Sequence, residues 1–360
     1  MWIYLLLAAG LFMGWSLGTN DAANAFGTAV ATRVVKYRTA VIIIAVMVLL
    51  GAITMGHQNI SKLSSISKNN GVTASQEQVQ QALDEGTIDT MRLKSALKAA
   101  IVFGCAAVTV FVMSYLKFPV SANQSVTGAV IGWGLCYADY SDPVLRKQNI
   151  MEILEFMSTW LINPLGAAAI SFVLMFLVKR LLEKRLTSMS HYDLVIRIGY
   201  IAAGAFSAFS IGQNSSASVT AFYYDPTGQG ANLICNLSWI SGAQIAAIMG
   251  GVAIAVGVLT FSKRVMMTVG SSIAEITQVD GFVVVIASAL TVLLMGKLMG
   301  IPVSTSQSVV GAVIGAGIAN NVKNVHFGVL RNVAIAWVSS PTVAGFLTWL
   351  VAICTKSYFG

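Results

Sequence analysis

The sequence contains the same proline-, serine- and glycine-rich segment twice. Residues 119–134 read PVSANQSVTGAVIGWG and residues 302–317 read PVSTSQSVVGAVIGAG, with the same residue at 12 of the 16 positions. Repetition at a fixed spacing indicates that a chain is built from copies of one structural unit. We therefore expect two related halves, each containing one copy of this segment.

Two weaker pairs of segments keep the same order along the chain. GTNDAANAFG at 18–27 corresponds to GQNSSASVTA at 212–221, and WLINPLG at 160–166 corresponds to WVSSPTV at 337–343. Chance similarity of apolar sequence is an alternative for the last pair but not for the serine-rich pair. The three ordered matches indicate a duplication followed by changes in loop length.

The halves are too apolar to fold in water. Hydrophobic residues make up 56% of the chain and charged residues 10%, whereas soluble domains carry about 25% charged residues. Apolar runs such as 40–54, 243–261 and 282–295 recur, and a membrane-spanning helix needs about 20 mostly apolar residues. The net charge of +8 then reflects basic loops on the cytoplasmic side and not nucleic-acid binding.

These patterns predict an all-α polytopic membrane protein with two inverted helical repeats, broken helices and two re-entrant hairpins. Duplicated membrane proteins often have inverted halves, with the binding site between them at the membrane midplane. A basic cluster separates the halves and consists of Lys179, Arg180, Lys184 and Arg185. We expect the first repeat at 1–186, the second at 187–360, a polar extramembrane loop at 57–94, and an extracellular N-terminus.

The segment 18–27 places a carboxylate inside an apolar helix. Thr, Asn, Asp and Gly are weak helix formers, so we expect unwound backbone from Gly18 to Asp21 and a helix that resumes at Ala22. An acidic residue within a membrane span is costly and indicates function. Asn20 and Asn24 add amide oxygens beside Asp21, which predicts a site for a hard cation such as Na⁺. The alternative is that Asp21 only caps a helix near the interface.

The repeated segments predict two hairpin tips. Pro119 and Pro302 end the preceding helix, and the polar residues that follow are suited to capping the next helix. Glycines four residues apart in that helix allow close helix packing. Free N–H groups, hydroxyls and a helix N-terminus together favour an anion. The alternative is two proline-kinked spans with buried serines.

The two tips contain no lysine or arginine. An oxyanion bound there would be balanced by helix N-termini, hydroxyls, amides and a co-bound cation. A dianion near Asp21 would be repelled unless a cation or a shared proton lay between them. This argument favours symport of a cation with the anion.

The motif GTNDAANAFG and the paired PVS hairpins resemble the inorganic phosphate transporter family, as does VGSSIAEITQVDGF at 269–282. The resemblance covers essentially the whole chain. It implies a cation-coupled phosphate symporter, Na⁺ first and H⁺ as the alternative, that works by alternating access as a homodimer in the cell membrane. It implies no organic cofactor and no enzyme activity.

The expected binding residues are the polar side chains of the hairpin tips and of the segments 18–27 and 212–221, named the first and second signature copies. The expected anion ligands are Asn20, Asp21, Ser121, Asn123, Gln124, Ser125, Asn214, Ser304, Thr305, Ser306, Gln307 and Ser308. The expected cation ligands are Asn20, Asp21, Asn24, Gln124, Asn214, Ser215 and Gln307, with Na⁺ at Asp21 and Asn24.

The second signature copy departs from the family pattern because Ser215 stands where the first copy has Asp21. This leaves the cation stoichiometry open. It also keeps sulfate as an alternative anion, since the family contains sulfate carriers. Hydrogenphosphate can donate a hydrogen bond to Asp21 and sulfate cannot, which favours phosphate.

Two other classes of function fit the sequence less well. An anion channel needs a continuous polar stripe along its helices, whereas the polar residues here cluster at the expected helix breaks. A membrane hydrolase needs a nucleophile with a base, or a metal cluster, and the three histidines of the chain lie away from the motifs.

Overall fold

The structure is a computed structural model that describes nine stretches of the chain. They are 6–74, 76–116, 120–137, 143–185, 189–224, 240–272, 277–299, 302–320 and 327–359. Pro119 and the expected boundary between the halves at 186–187 lie outside the described residues.

Every regular element in these stretches is helical, because backbone groups in a membrane must be hydrogen-bonded within the protein. The first half contains α1 (Leu7–Ala31), α2 (Tyr37–Met55), a 3₁₀ turn (Gly56–Asn59), α3 (Ile60–Asn69), α4 (Gln76–Asp84), α5 (Ile88–Tyr115), α6 (Ala122–Tyr137) and α7 (Pro143–Arg185). The second contains α8 (Met189–Ser215), α9 (Ala217–Thr220), a 3₁₀ turn (Ala221–Tyr223), α10 (Gly242–Phe261), α11 (Lys263–Ser272), α12 (Gln278–Met299), α13 (Thr305–Asn320), α14 (Phe327–Cys354) and α15 (Lys356–Phe359).

Seven helical segments in the described part are long and apolar enough to cross a membrane. They are Tyr37–Asn59, Ile88–Tyr115, Ile153–Arg180, Asp193–Tyr223, Gly242–Phe261, Gln278–Met299 and Ala334–Cys354. Large apolar side chains remain exposed along them, for example Ile42, Val46 and Leu50 on one face of α2 and Leu161 and Leu165 on α7. Exposed apolar stripes of this kind suit contact with lipid, and the protein is a multi-pass membrane protein.

Helices of the first half pack closely against helices of the second half. A Cβ added at Gly128 of α6 would lie 2.2 Å from the carbonyl oxygen of Pro341 in α14, and one at Gly311 of α13 would lie 2.1 Å from that of Pro164 in α7. Gly132 and Gly315, one turn further along, make equally close backbone contacts with α14 and α7. The prediction that these glycines permit close packing is therefore confirmed.

A second set of close contacts follows the same duplication. Gly18 of α1 meets the carbonyl of Ile254 in α10, and Gly212 of α8 meets that of Val48 in α2. Each half thus supplies the packing partner of the equivalent helix in the other half. The inverted orientation of the halves and the re-entrant course of α6 and α13 stay predictions. Both of these helices have 16 residues, fewer than the about 20 needed to span a membrane.

The expectation about the helix break in the first signature copy is wrong. Residues Gly18–Asp21 are not unwound, since α1 continues from Leu7 to Ala31. Thr19 donates its hydroxyl to Ser16 O, and the amides of Asn20 and Asn24 bond to other segments. The two asparagine amides therefore do not compete for the helix backbone, and the bond of Thr19 to Ser16 O lies within a continuous helix. The break lies instead in the second copy, at Ser216 between α8 and α9.

The expected loop 57–94 is largely helical. Ile60, Leu63 and Ile66 of α3 are buried in the core, because they form an apolar stripe at helical spacing. The polarity of the segment comes in part from α4, where Glu77, Gln80 and Asp84 are exposed, and in part from Ser64 and Ser67 of α3, which are buried. Its position outside the membrane stays a prediction.

Candidate transport site

The two serine-rich segments each begin a helix with a capping serine. Ser121 Oγ accepts the N–H of Gln124 at 3.3 Å, and Ser304 Oγ accepts the N–H of Gln307 at 3.2 Å. The N–H groups of a first helical turn have no partner within their own helix. The start of each helix therefore presents backbone donors and the positive end of a helix dipole.

The tips contact each other directly. Asn123 Nδ2 of the first tip donates to Val303 O at 2.7 Å, and Ser306 Oγ of the second tip donates to Val120 O at 3.1 Å. These two bonds are equivalent under the duplication. The first turns of α6 and α13 thus lie together between the halves.

Each signature copy holds the backbone just before one tip. Asn20 Nδ2 donates to Val120 O at 2.8 Å. Asn214 uses its whole amide, since Nδ2 donates to Val303 O at 2.7 Å and Oδ1 accepts the N–H of Val303 at 2.8 Å. Both residues lie beside the backbone of the tips, and their role in binding stays a prediction. The geometry makes Asn214 a positioning residue whose amide is already engaged.

Asp21 is 3% exposed and connects the first signature copy to the second tip. Its Oδ1 accepts from Asn24 Nδ2 at 3.2 Å and from Asn20 Nδ2 at 3.4 Å. Asn24 Nδ2 also lies 3.0 Å from Thr305 Oγ1 and 3.2 Å from Ser306 Oγ. This arrangement brings one carboxylate near two hydroxyl oxygens, with the amide nitrogens of Asn20 and Asn24 donating to the carboxylate.

The described part of the chain holds no group of three His, Cys, Asp or Glu side chains that could bind a metal ion. A transition-metal centre is therefore not formed by those residues.

A small pocket of about 10 Å³, with room for about one water molecule, adjoins the first tip. Its polar lining consists of Ser121, Asn123, Gln124, Thr127, Thr159 and Ser304, and its apolar lining of Phe156, Trp160 and Pro302. Gln124 Oε1 and Gln307 Oε1 are buried without a partner among the described residues. Buried polar atoms of this kind call for a ligand or water.

Not every predicted ligand faces open space. Ser125 Oγ bonds to Ser121 O and Ser308 Oγ to Ser304 O within their own helices. Ser215 Oγ accepts from Asn214 Nδ2 at 3.3 Å. Each of these hydroxyls already makes a hydrogen bond within the protein, so it can bind a ligand only with its remaining donor or acceptor.

Two residues of the site were missed by the sequence predictions. Asn163 of α7 donates to Ser304 O at 2.7 Å and accepts from Ser308 Oγ at 2.9 Å. Ser218 of α9 donates to Asn123 Oδ1 at 2.7 Å. Both belong to segments that the duplication had already marked, and a buried Asn beside Pro164 in an apolar helix was the available signal.

Comparison with known proteins gives the family. The sequence profile of the phosphate transporter family matches residues 17–348. The chain belongs to the phosphate transporter family. Members of this family are transporters and not enzymes, so the expectation of a phosphate transporter-like, non-enzymatic membrane protein is confirmed.

Individual relatives carry two kinds of name. The chain is 25% identical to a Pyrococcus abyssi protein named as a phosphate permease, over 97% of each chain. It is 27% identical to the sulfate permease CysP of Bacillus subtilis, over 95% of this chain and 84% of that protein. It is 25% identical to the chloroplastic inorganic phosphate transporter 2-1 of Arabidopsis thaliana, over 96% and 72%.

One solved structure shares the fold. It is described as the sodium-dependent phosphate transporter, with a TM-score of 0.76, 23% identity, and coverage of 99% of this chain and 100% of that one. The likeness confirms the all-helical transporter fold of this phosphate transporter family member.

Proposed function

We propose that this protein is a Na⁺-coupled symporter of inorganic phosphate that works by alternating access. The observation that carries the proposal is the link from Asp21 through Asn24 to Thr305 and Ser306 of the second tip. Through this link, a cation at the carboxylate would change the position or charge of the groups that bind the anion.

The anion would bind between the two tips. Its oxygens would be held by first-turn N–H groups and by the hydroxyls and amides of Ser121, Gln124, Thr305 and Gln307. None of these groups carries a positive charge. Burial of a phosphate dianion without compensation would be very costly, so a co-bound cation is required for anion binding.

The cation would bind at Asp21, completed by oxygens of Asn24, Thr305 and Ser306. Two charges a few ångströms apart interact strongly when water is excluded, so cation and anion each raise the affinity for the other. Such reciprocal coupling is what symport needs. A proton on Asp21 is the alternative to Na⁺ as the coupling ion.

Sulfate is the second candidate substrate, favoured by the similarity to the sulfate permease CysP. Retention of Asp21 favours phosphate, because hydrogenphosphate can donate a hydrogen bond to a carboxylate and sulfate has no proton to donate. The two anions otherwise match in size and shape.

The remaining proposals concern the arrangement in the membrane. We place the protein in the cell membrane with an extracellular N-terminus, as two inverted repeats at 1–186 and 187–360, and as a homodimer. The support is the duplication, the basic cluster that includes Lys179 and Arg180, and the family resemblance.

Uptake into proteoliposomes tests the function. The purified protein should accumulate radiolabelled phosphate when Na⁺ is imposed outside, and accumulate sulfate less. Empty liposomes and an imposed K⁺ gradient serve as controls. Failure of both anions to move under Na⁺ and under H⁺ gradients would rule out the symporter, and preferential sulfate uptake would establish the second candidate.

A further inference from the structure

The two signature copies make equivalent contacts, but the group contacted is a carboxylate in the first copy and a hydroxyl in the second. Asn20 Nδ2 lies 3.4 Å from Asp21 Oδ1, and Asn214 Nδ2 lies 3.3 Å from Ser215 Oγ. Because Asn20 and Asn214 also hold the equivalent carbonyls before the two tips, the duplication superimposes these positions. Ser215 Oγ therefore occupies the place that a carboxylate oxygen of Asp21 occupies in the first half.

The two positions are equally buried but differ in charge. Asp21 is 3% exposed and Ser215 is 0% exposed. The second signature copy, 212–221, contains no acidic residue at all. The fold thus provides two equivalent side-chain positions beside the tips, and only one of them, Asp21, carries a carboxylate.

A charge in the membrane interior requires a partner of opposite charge. The carboxylate of Asp21 meets that requirement for one cation. A cation beside Ser215 would be held by a hydroxyl and an amide alone, and it would still have to be stripped of water. The neutral position should therefore stay without a cation when the anion is absent.

On the basis of the proposed function, we infer that this protein couples one cation to each anion, and that Ser215 is the residue that sets this ratio. A carboxylate at position 215 would complete a second site related to the first by the duplication.

The coupling ratio is measured at static head in proteoliposomes with the membrane potential clamped to zero. A tenfold Na⁺ gradient balances about a tenfold opposing phosphate gradient when one cation is coupled, and about a hundredfold gradient when two are coupled. We expect the tenfold balance for the wild type. If H⁺ drives uptake, the same measurement applies with a pH gradient.

Two variants at one position separate charge from shape. Ser215→Asp should shift the balance point towards the hundredfold gradient, whereas Ser215→Asn, of nearly the same size but neutral, should keep the tenfold balance. Equilibrium binding of radiolabelled Na⁺ to the detergent-solubilised protein gives a second readout. We expect one bound Na⁺ for the wild type and Ser215→Asn, and two for Ser215→Asp.

The wild type alone decides the inference if Ser215→Asp does not fold. A hundredfold balance in the wild type would overturn it. A wild type that moves neither anion under any cation gradient defeats the proposed function itself. A wild type that transports with a ratio of two defeats only this inference.

Discussion

Asp21 brings the only acidic side chain of either signature copy to the contact between the two tips. Its neighbours are amides and hydroxyls, and no salt bridge to it occurs among the described residues. An uncompensated buried carboxylate costs several kcal/mol. That cost is the driving force by which Asp21 would select a cation.

Replacement of this carboxylate tests its role. Asp21→Asn keeps the size of the side chain and its capacity to accept from Asn24, so the protein should remain folded. Cation-dependent phosphate uptake should fall by more than about tenfold, which corresponds to about 1.4 kcal/mol of coupling. Size-exclusion profiles of the purified variant check folding, and unchanged Na⁺ dependence would remove Asp21 from the ion site.

The two positioning asparagines predict unequal effects on stability. Asn214→Ala leaves the buried N–H of Val303 without its acceptor, which costs about 1–3 kcal/mol. Asn20→Ala removes one donor from Val120 O, which keeps Ser306 Oγ as a partner, and should cost only about 0.5–1.5 kcal/mol. Thermal unfolding in detergent measures both, with Thr342→Ala on the exposed face of α14 as the control. Equal losses would contradict the assigned contacts.

At the scale of the helices, the close contacts of α6 and α13 depend on the lack of side chains. The carbonyl of Pro341 lies where a Cβ of residue 128 would be placed, and backbone cannot move aside as the end of a flexible side chain can. The contact keeps α6 in register with α14 and holds its first turn at the site.

Two glycine substitutions form a matched pair. Gly128→Ala should destabilise the protein by about 1–3 kcal/mol or more through overpacking. Gly104→Ala in α5, where an added Cβ has no neighbour within 4 Å, should be neutral or stabilising by up to about 1 kcal/mol. Apparent melting temperatures in detergent report the difference. A Gly128→Ala protein as stable as Gly104→Ala would show that the helices do not approach so closely.

The sequence predicted these helices better than it predicted their breaks. Identity between the repeats, apolar runs and glycine spacing predicted α6 and α13 with a polar cap at the start of each, without singling out Ser121 and Ser304. The continuity of α1 could not be predicted from propensities, because contacts of Asn20 and Asn24 with the distant tips decide it. Asn163 was missed for the same reason, since its partners lie 141 and 145 residues away along the chain.

For the whole molecule, the packing of helices of one half against helices of the other makes the halves depend on each other. Every close contact of α6 with α14 and of α13 with α7 joins one half to the other. The tips are likewise linked across the halves by Asn123 and Ser306. Neither half alone can bury its glycine-rich helix or complete the site.

A protein split after residue 186 tests this dependence. Co-expressed fragments 1–186 and 187–360 should associate, so that an affinity tag on one recovers the other and uptake of phosphate is partly restored. Each fragment expressed alone should be degraded or aggregate. Recovery of a stable, monodisperse single fragment would show that the halves fold independently.

The packing of α6 against α14 also sets an order of events during synthesis. Gly128 leaves the ribosome about 210 residues before Pro341, which at about 5–20 residues per second is an interval of roughly 10 to 40 seconds. During that time the newly made α6 has polar residues at one end and a glycine face that is not yet packed against α14. The insertion machinery must therefore keep α6 from aggregating until α14 has been synthesised. Premature termination within α14 would leave the first half without a packing partner, in addition to shortening the second half.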